Sequence, residues 1–265
     1  MLLLFSGCTI PSIPVSKAEV EKKEEEKFYD DVKVSMRLLK TVLHEGDTLR
    51  AEITVEALRD VEDVTLNIVN DCGLSFDSKK EELGDIKKGS VRTITLEGRL
   101  EKGVDLTREC ELKFRISYKS TSKITTDVIV LSEREYERML VKGKSYVPSS
   151  SQDVGAVGIS YSLSPAQPYK DGDTVFFSFH LYNRGSGTYK ITDISFSAPS
   201  NLVEEGSKCG GLKSSSIELM GGESEKVVCK FQAHASEDVS IDSLSLSVEY
   251  LYKIDVKERI ILERR

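Results

Sequence analysis

Two runs of strict period-two alternation, each opened by a Gly-Asp turn, constrain this chain more than any other feature. In the first, Gly46-Asp47 leads into Leu49, Ala51, Ile53 and Val55, which alternate with Arg50, Glu52, Thr54 and Glu56. In the second, Gly172-Asp173 leads into Val175, Phe177, Phe179 and Leu181. Successive side chains of a strand point to opposite faces, so each run reads as a strand with one buried face. Glycine supplies the backbone conformation a tight turn requires, and the aspartate bonds the turn's own backbone. The elements that follow the two turns come in the same order, which makes the chain a tandem repeat.

In the first repeat, Val32, Val34, Met36 and Leu38 alternate before the turn. Val64, Leu66 and Ile68 give a third strand after it, and a polar crossing segment with Asp71-Cys72-Gly73 runs to Gly89. Further strands read at Val91 to Leu96, Cys110 to Tyr118 and Lys123 to Leu131. The second repeat runs through Val157 to Leu163, Tyr189 to Phe196, a Gly- and Ser-rich segment with Cys209, Lys226 to Phe231, Leu244 to Tyr250 and Lys257 to Leu262. Short strands at this density with turn signals between them imply an all-β chain of two tandem immunoglobulin-like β-sandwiches. Residues 28–131 and 153–265 are the two domains. Residues 132–152 link them, with a short helix signalled by the Ser132/Glu135 capping box and by Tyr136, Met139 and Leu140 on one face. Val147 to Gln152 reads as a flexible link after it.

The 265 residues suit two domains of this size, and a formal charge of −7 with no basic stripe disfavours nucleic acid as a partner. Of five cysteines, Cys72 and Cys110 fall in the first repeat and Cys209 and Cys229 in the second. One pair per repeat points to two disulfides and an oxidising compartment. The alternative is four buried thiols packed as small hydrophobes. No Cys-x-x-Cys spacing exists and His44, His180 and His234 are scattered, so neither a metal nor a cofactor is expected. Cys8 stands apart from all of these.

Residues 1–8 end in Phe5-Ser-Gly-Cys8, which resembles the lipobox at the end of a prokaryotic lipoprotein signal peptide. The resemblance implies cleavage before Cys8, acylation of its sulfur, and attachment to a membrane. The apolar run from Leu2 to Phe5 is shorter than a full signal core and lacks a preceding cation, as a start assigned too far downstream would leave it. Residues 9–27 carry Pro11 and Pro14 and then a Lys- and Glu-rich run, a solvated tether without a core.

Pro168 to Asp173, with the Gly172-Asp173 turn, and Asn183-Arg-Gly185 resemble CARDB-type surface modules of archaea and bacteria. These are Ig-like domains marked by an early proline, a Gly-Asp turn and Asn-x-Gly; the first repeat keeps Gly46-Asp47 without the Asn-x-Gly. The resemblance implies an extracellular stalk, spacer or adhesion module with no catalytic residues to carry over.

Among candidate sites, Gly185-Ser-Gly187 lacks the Lys-Ser/Thr of a phosphate loop, and no Gly-x-Ser-x-Gly elbow is present. Asp171 with Asp173, Asp60 with Asp63, and Asp30 with Asp31 offer hard oxygens at no calcium-loop spacing and read as turn residues. No Asn-x-Ser/Thr sequon exists. The second repeat departs from the first at Val175 to Tyr182, where both strand faces are apolar or aromatic. With Val175, Phe177, Phe179 and Leu181 inward, Phe176, His180 and Tyr182 face outward, as a partner surface or as a face covered by the linker helix through Tyr136 and Leu140. The sequence therefore reads as a non-enzymatic envelope lipoprotein displayed outside the membrane, with another envelope or extracellular protein as partner. A non-anchored subunit of a surface assembly, pairing through edge strands, is the alternative; a hydrolase with a non-standard site is a second.

Overall fold

A computed structural model of the chain describes residues 30–101, 106–206, 209, 219–220, 223–224 and 226–264. Cys8 and the 9–27 tether lie outside the described residues. The first repeat forms β1 (Val32–Leu38), β2 (Val42–Leu43), β3 (Thr48–Ala57), β4 (Val61–Asn70), β5 (Ser75–Phe76), β6 (Lys80–Ile86), β7 (Val91–Arg99) and β8 (Arg108–Leu131). Helix α1 (Glu133–Lys142) and β9 (Ser150–Asp153) follow. The second repeat forms β10 (Val157–Ser164), β11 (Tyr169–Lys170), β12 (Thr174–Asn183), β13 (Thr188–Ser197) and β14 (Leu202–Glu204). It closes with β15 (Leu219–Met220), β16 (Glu223–Ser224), β17 (Val227–Ala233) and β18 (Val239–Leu262).

The fold is all-β, with two sandwiches and one short helix between the repeats. The two Gly-Asp turns are built alike. Gly46 and Gly172 take φ of 83° and 89°, and Asp47 and Asp173 each accept a hydrogen bond from the backbone N–H three residues earlier, at 2.8 Å. The alternation called for β3 and β12 holds, with Leu49, Ala51, Ile53, Val55, Val175, Phe177, Phe179 and Leu181 all buried.

The last strands differ from the sequence reading. Cys110 to Tyr118 and Lys123 to Leu131 are one strand, β8, of 24 residues. Leu244 to Tyr250 and Lys257 to Leu262 are likewise one strand, β18, of 24 residues. Ser120, Thr121 and Ser122 interrupt the apolar series in β8 but not its parity. Every even-numbered residue from Leu112 to Val130 is buried, so the strand turns the same face inward along this stretch. β8 and β18 pair antiparallel from Arg108↔Leu262 to Leu131↔Val239.

This ladder is the spine of an eight-stranded sheet in the order β13-β18-β8-β4-β6, to which β2, β9 and β11 add short pairings. Two further sheets use it as their common back wall. One has the order β1-β3-β7-β5, and the other is built on β14-β17-β12 with β10 paired to β12. Phe76 of the first meets Phe114 of β8 edge to face, with centroids 6.3 Å apart. In the second sandwich, Phe177 stacks on Phe196 of β13 at 5.5 Å. The buried apolar residues of both sandwiches form one continuous cluster.

Two segments read as irregular are strands. Lys80–Ile86 pairs with β4 at the sheet edge, where a strand carrying Lys80, Glu81, Glu82 and Asp85 discourages further pairing. Ser150–Asp153, within and beyond the expected flexible link, pairs with Lys123–Thr126 of β8. The helix forms with Ser132 as N-cap, accepting from Glu135 N–H at 3.3 Å, and with Gly143 as its left-handed C-cap. The capping box is half made. The Glu135 carboxylate accepts instead from Tyr146 O–H (2.9 Å) and Arg138 (2.7 Å), and the Tyr146 bond chiefly holds it below its ordinary pKa.

Both disulfides are present, Cys72–Cys110 and Cys209–Cys229. The same crossing loop is therefore tied to different partners in the two repeats, β8 in one and β17 in the other. Sequence separations of 38 and 20 residues correspond to about 4 and about 3 kcal/mol of unfolded-state restraint on the chain-entropy model. The bridges fit an oxidising, extracytoplasmic environment. No helix among the described residues is long and apolar enough to cross a membrane.

Candidate functional site

The outward face of β12 lies between β10 and β17, and the registers fix its neighbours. Phe176 sits between Ser164 and Lys230, Ser178 between Ser162 and Val228, His180 opposite Ser160, and Tyr182 opposite Gly158. Phe176 is 41% exposed and Val228 is 53% exposed; they lie diagonally across the β12–β17 ladder. Ser162 and Ser178 share a 2.8 Å hydrogen bond between their hydroxyls.

His180 and Tyr182 are half-buried, with ring centroids 5.8 Å apart. The Tyr182 ring lies on Gly158 so closely that a Cβ there would collide with it. It fills the space of the missing side chain, which is a packing role. The three outward residues thus share one face but not one situation: Phe176 is offered to solvent, while Tyr182 completes the sheet. Helix α1 does not provide the cover considered for this face. It packs against β8, and Leu140 remains 65% exposed. Among the described residues, no hydroxyl or thiol is seen hydrogen-bonded to His180.

A dense polar network, of whose carboxylates sequence reasoning singles out only the Asp30-Asp31 pair and that as a turn, lies where the two sandwiches meet. Asp31 is fully buried there. Its carboxylate accepts from Tyr250 O–H at 2.8 Å and from Ala156 N–H at 3.2 Å, and Arg59 Nε stands 3.3 Å away. The Asp31 N–H donates to the Tyr118 hydroxyl at 3.3 Å. Arg59 also reaches Asp153 (2.6 Å) and the Thr121 carbonyl (3.1 Å). Adjacent Asp30 accepts from the Ser186 N–H (2.9 Å) and hydroxyl (2.6 Å).

Gly155 and Gly185 make this approach possible. A Cβ on Gly155 would strike the Asp31 carboxylate and the Tyr250 hydroxyl, and one on Gly185 would strike Asp30 and the Tyr252 hydroxyl. Burial raises the pKa of Asp31, and its bonds to Tyr250, Arg59 and Ala156 only partly offset that. The Tyr118 and Tyr250 phenols are likewise pushed up by burial, with the Asp31 charge adding to it.

On the outer face of the shared sheet, near the middle of the β8–β18 ladder, lies a polar groove of about 580 Å³. Four cations, among them Arg59 and Lys119, face four carboxylates across it. Arg59 is paired with Asp153 and Lys119 with Asp63 (2.8 Å), so the groove carries no field of one sign to select an anion or a cation. Of the carboxylates weighed as calcium ligands and read as turn residues, Asp173 does close its own turn. Asp30 and Asp31 are taken up by the junction network instead, and Asp60 and Asp171 accept from loops distant in sequence. Asp60 accepts from Lys88 N–H at 2.8 Å, and Asp171 from Ala235 N–H at 2.9 Å. Among the described residues, no group of three or more His, Cys, Asp or Glu side chains is arranged to hold a metal ion.

No protein-family model matches the chain, and no curated protein is similar to it. Among solved structures, the chain is similar to a protein of unknown function from Porphyromonas gingivalis W83, with 11% identity over 82% of this chain and 83% of that one, at a TM-score of 0.24. It is also similar to the C-terminal globular domain of an oligosaccharyltransferase from Pyrococcus abyssi, with 11% identity over 87% of this chain and 49% of that one, at a TM-score of 0.30. Both TM-scores are too low to bear on what the protein does.

Proposed function

We propose that the chain is a non-enzymatic module of the cell envelope, lipid-anchored through Cys8, that presents the outward face of β12 and β17 to another extracytoplasmic protein. The observation that carries this reading is Phe176, standing exposed beside Val228 with Ser162, Ser164 and Lys230 around them and the half-buried His180 and Tyr182 further along the same face. An aromatic with an aliphatic neighbour inside a polar rim has the composition of a small interface core. The two disulfides support the compartment, and the lipobox-like Phe5 to Cys8 and the CARDB-like turns support the anchor and the class of module. Asp30, the residue nearest the tether in the described chain, sits at the junction of the sandwiches. A tether entering there would hold the module by its middle and leave both ends clear.

Two measurements test this. Mass spectrometry of the native protein should find acyl chains on Cys8; an intact Met1 terminus would remove the anchor from the proposal. Phe176→Ser should leave the melting temperature unchanged while abolishing cross-linking, from a photoreactive group at Lys230, to an envelope protein. Cross-linking that survives the substitution would remove Phe176 from the interface. Tyr182→Ser is the less useful variant, because it uncovers Gly158.

A second reading has one observation in its favour. β1 and β10 are terminal strands of their sheets among the described residues, and a free strand edge can pair with a neighbour in a surface assembly.

A further inference from the structure

The order of strands in the shared sheet has a consequence for how the two repeats are held together. The N-terminal half of β8, residues 108–119, lies against β4 of its own repeat, but its other neighbour is the C-terminal half of β18. The N-terminal half of β18 lies against β13 of its own repeat, and its other neighbour is the C-terminal half of β8. Each long strand thus starts in its own sandwich and finishes in the other one.

The short parallel pairings report the same crossing. β2 of the first repeat pairs with Ile261–Leu262 at the end of β18, and β11 of the second pairs with Val130–Leu131 at the end of β8. Side chains follow the strands. Ile124, Val128 and Val130 are buried where β8 runs beside the start of β18, and Ile260 and Leu262 are buried where β18 runs beside the start of β8. In a sandwich that closed on itself, a hairpin at residues 119–123 would fold the last strand back beside β8. Here that hairpin is opened into straight strand, and the place beside β8 is taken by the other repeat.

We infer that the two repeats are a reciprocally strand-exchanged pair, in which the recognition surface of each half is the inner edge of its long strand and the partner it fits is the equivalent strand of the other half. This is the geometry of a domain-swapped dimer, written into one chain. The covalent connection through residues 132–149 raises the effective concentration of the halves for one another and is not what holds them, while β9 adds a short pairing of its own to β8. The same edges fit the halves of a second copy equally well. Intramolecular pairing prevails in the intact chain because the linker keeps the halves close.

The test uses the whole chain with a protease site inserted between Gly143 and Lys144, in the exposed coil after α1. After cutting, native mass spectrometry and size exclusion at micromolar concentration should find both fragments in one 1:1 species. Its melting temperature should match that of the uncut protein to within a few degrees. When isotope-labelled and unlabelled cut protein are denatured, mixed and refolded, hybrid pairs should form in statistical proportion. Fragments that part under native conditions into two folded species would overturn the inference, since each sandwich would then be complete alone. So would aggregation on cutting, since the linker would then be what holds the halves.

Discussion

Asp31→Ala is expected to lower the stability of the whole protein by about 3–5 kcal/mol, the range for removing one partner of a buried charged network. The substitution leaves the Ala156 N–H and Tyr250 O–H without their acceptor, and Arg59 without one of its two carboxylates. Both sandwiches should lose stability together, because the residues around Asp31 come from β8, β18, the β3–β4 turn and the start of the second repeat. Denaturant unfolding followed by separate probes in the two sandwiches checks this; loss confined to one of them would contradict the junction as described.

Asp31→Asn keeps an acceptor oxygen and should cost less, and it exposes a pH dependence. The pKa of Asp31 is raised in the folded state, so the folded protein binds this proton more tightly than the unfolded chain does. The associated stability is fully present below the ordinary carboxylate pKa of about 4 and is lost as pH rises through the higher folded value. The advantage of the wild type over Asp31→Asn should therefore shrink as pH rises from about 4, where Asp31 starts to titrate. A difference that grows with pH would show that Arg59 outweighs burial at this carboxyl. Asp255, held at about 2 by Arg115 and then Lys113, works in the opposite sense, with stability lost as pH falls from about 4 toward that value. It is unchanged in the Asn variant and cancels from the comparison.

Phe177→Ala is expected to cost about 3–5 kcal/mol, as for other buried phenylalanines. Phe177 stacks on Phe196 at 5.5 Å, with Phe179 at 5.7 Å and Tyr161 at 6.1 Å; Phe196 in turn stacks on Phe231 at 6.0 Å. Its ring therefore joins β12 and β10 of one sheet to β13 of the shared sheet, with β17 reached through Phe196, and aromatics this large leave a cavity that their neighbours cannot close. Equilibrium unfolding measures the loss. Phe176, one residue earlier and on the opposite face, should change stability by no more than about 0.5 kcal/mol, as surface substitutions do. Comparable losses at both positions would mean that the face of β12 treated as open is covered.

The contrast between neighbouring phenylalanines shows how far the sequence could be read. Period-two alternation placed Phe177 inside and Phe176 outside, and both placements hold. The same rule put His180 and Tyr182 outside, which is right as to face. It could not tell that Tyr182 lies on Gly158, because that contact depends on the register of β10 against β12. Val228 was missed for the same reason: it joins Phe176 only across a ladder. Of the carboxylates in the Asp31 network only the Asp30-Asp31 pair was visible, and it was read as a turn, because the partners that bury it lie as far away in sequence as Tyr250.

By itself, the sequence determined the all-β class, the two Gly-Asp turns, the inward faces of β3 and β12, and the two disulfide pairs. These follow from periodicity and turn chemistry, which act over a few residues. Tertiary structure alone decided that the two sandwiches share a wall. Lys119 to Lys123 has the small polar residues of a turn, yet Ser120 and Ser122 keep the inward parity of β8, and Ser122 satisfies its hydroxyl on the Val157 carbonyl at 2.6 Å. Whether such a stretch bends into a hairpin or runs straight depends on which strand is available beside it. Here that strand is β18, and only the assembled fold brings it there.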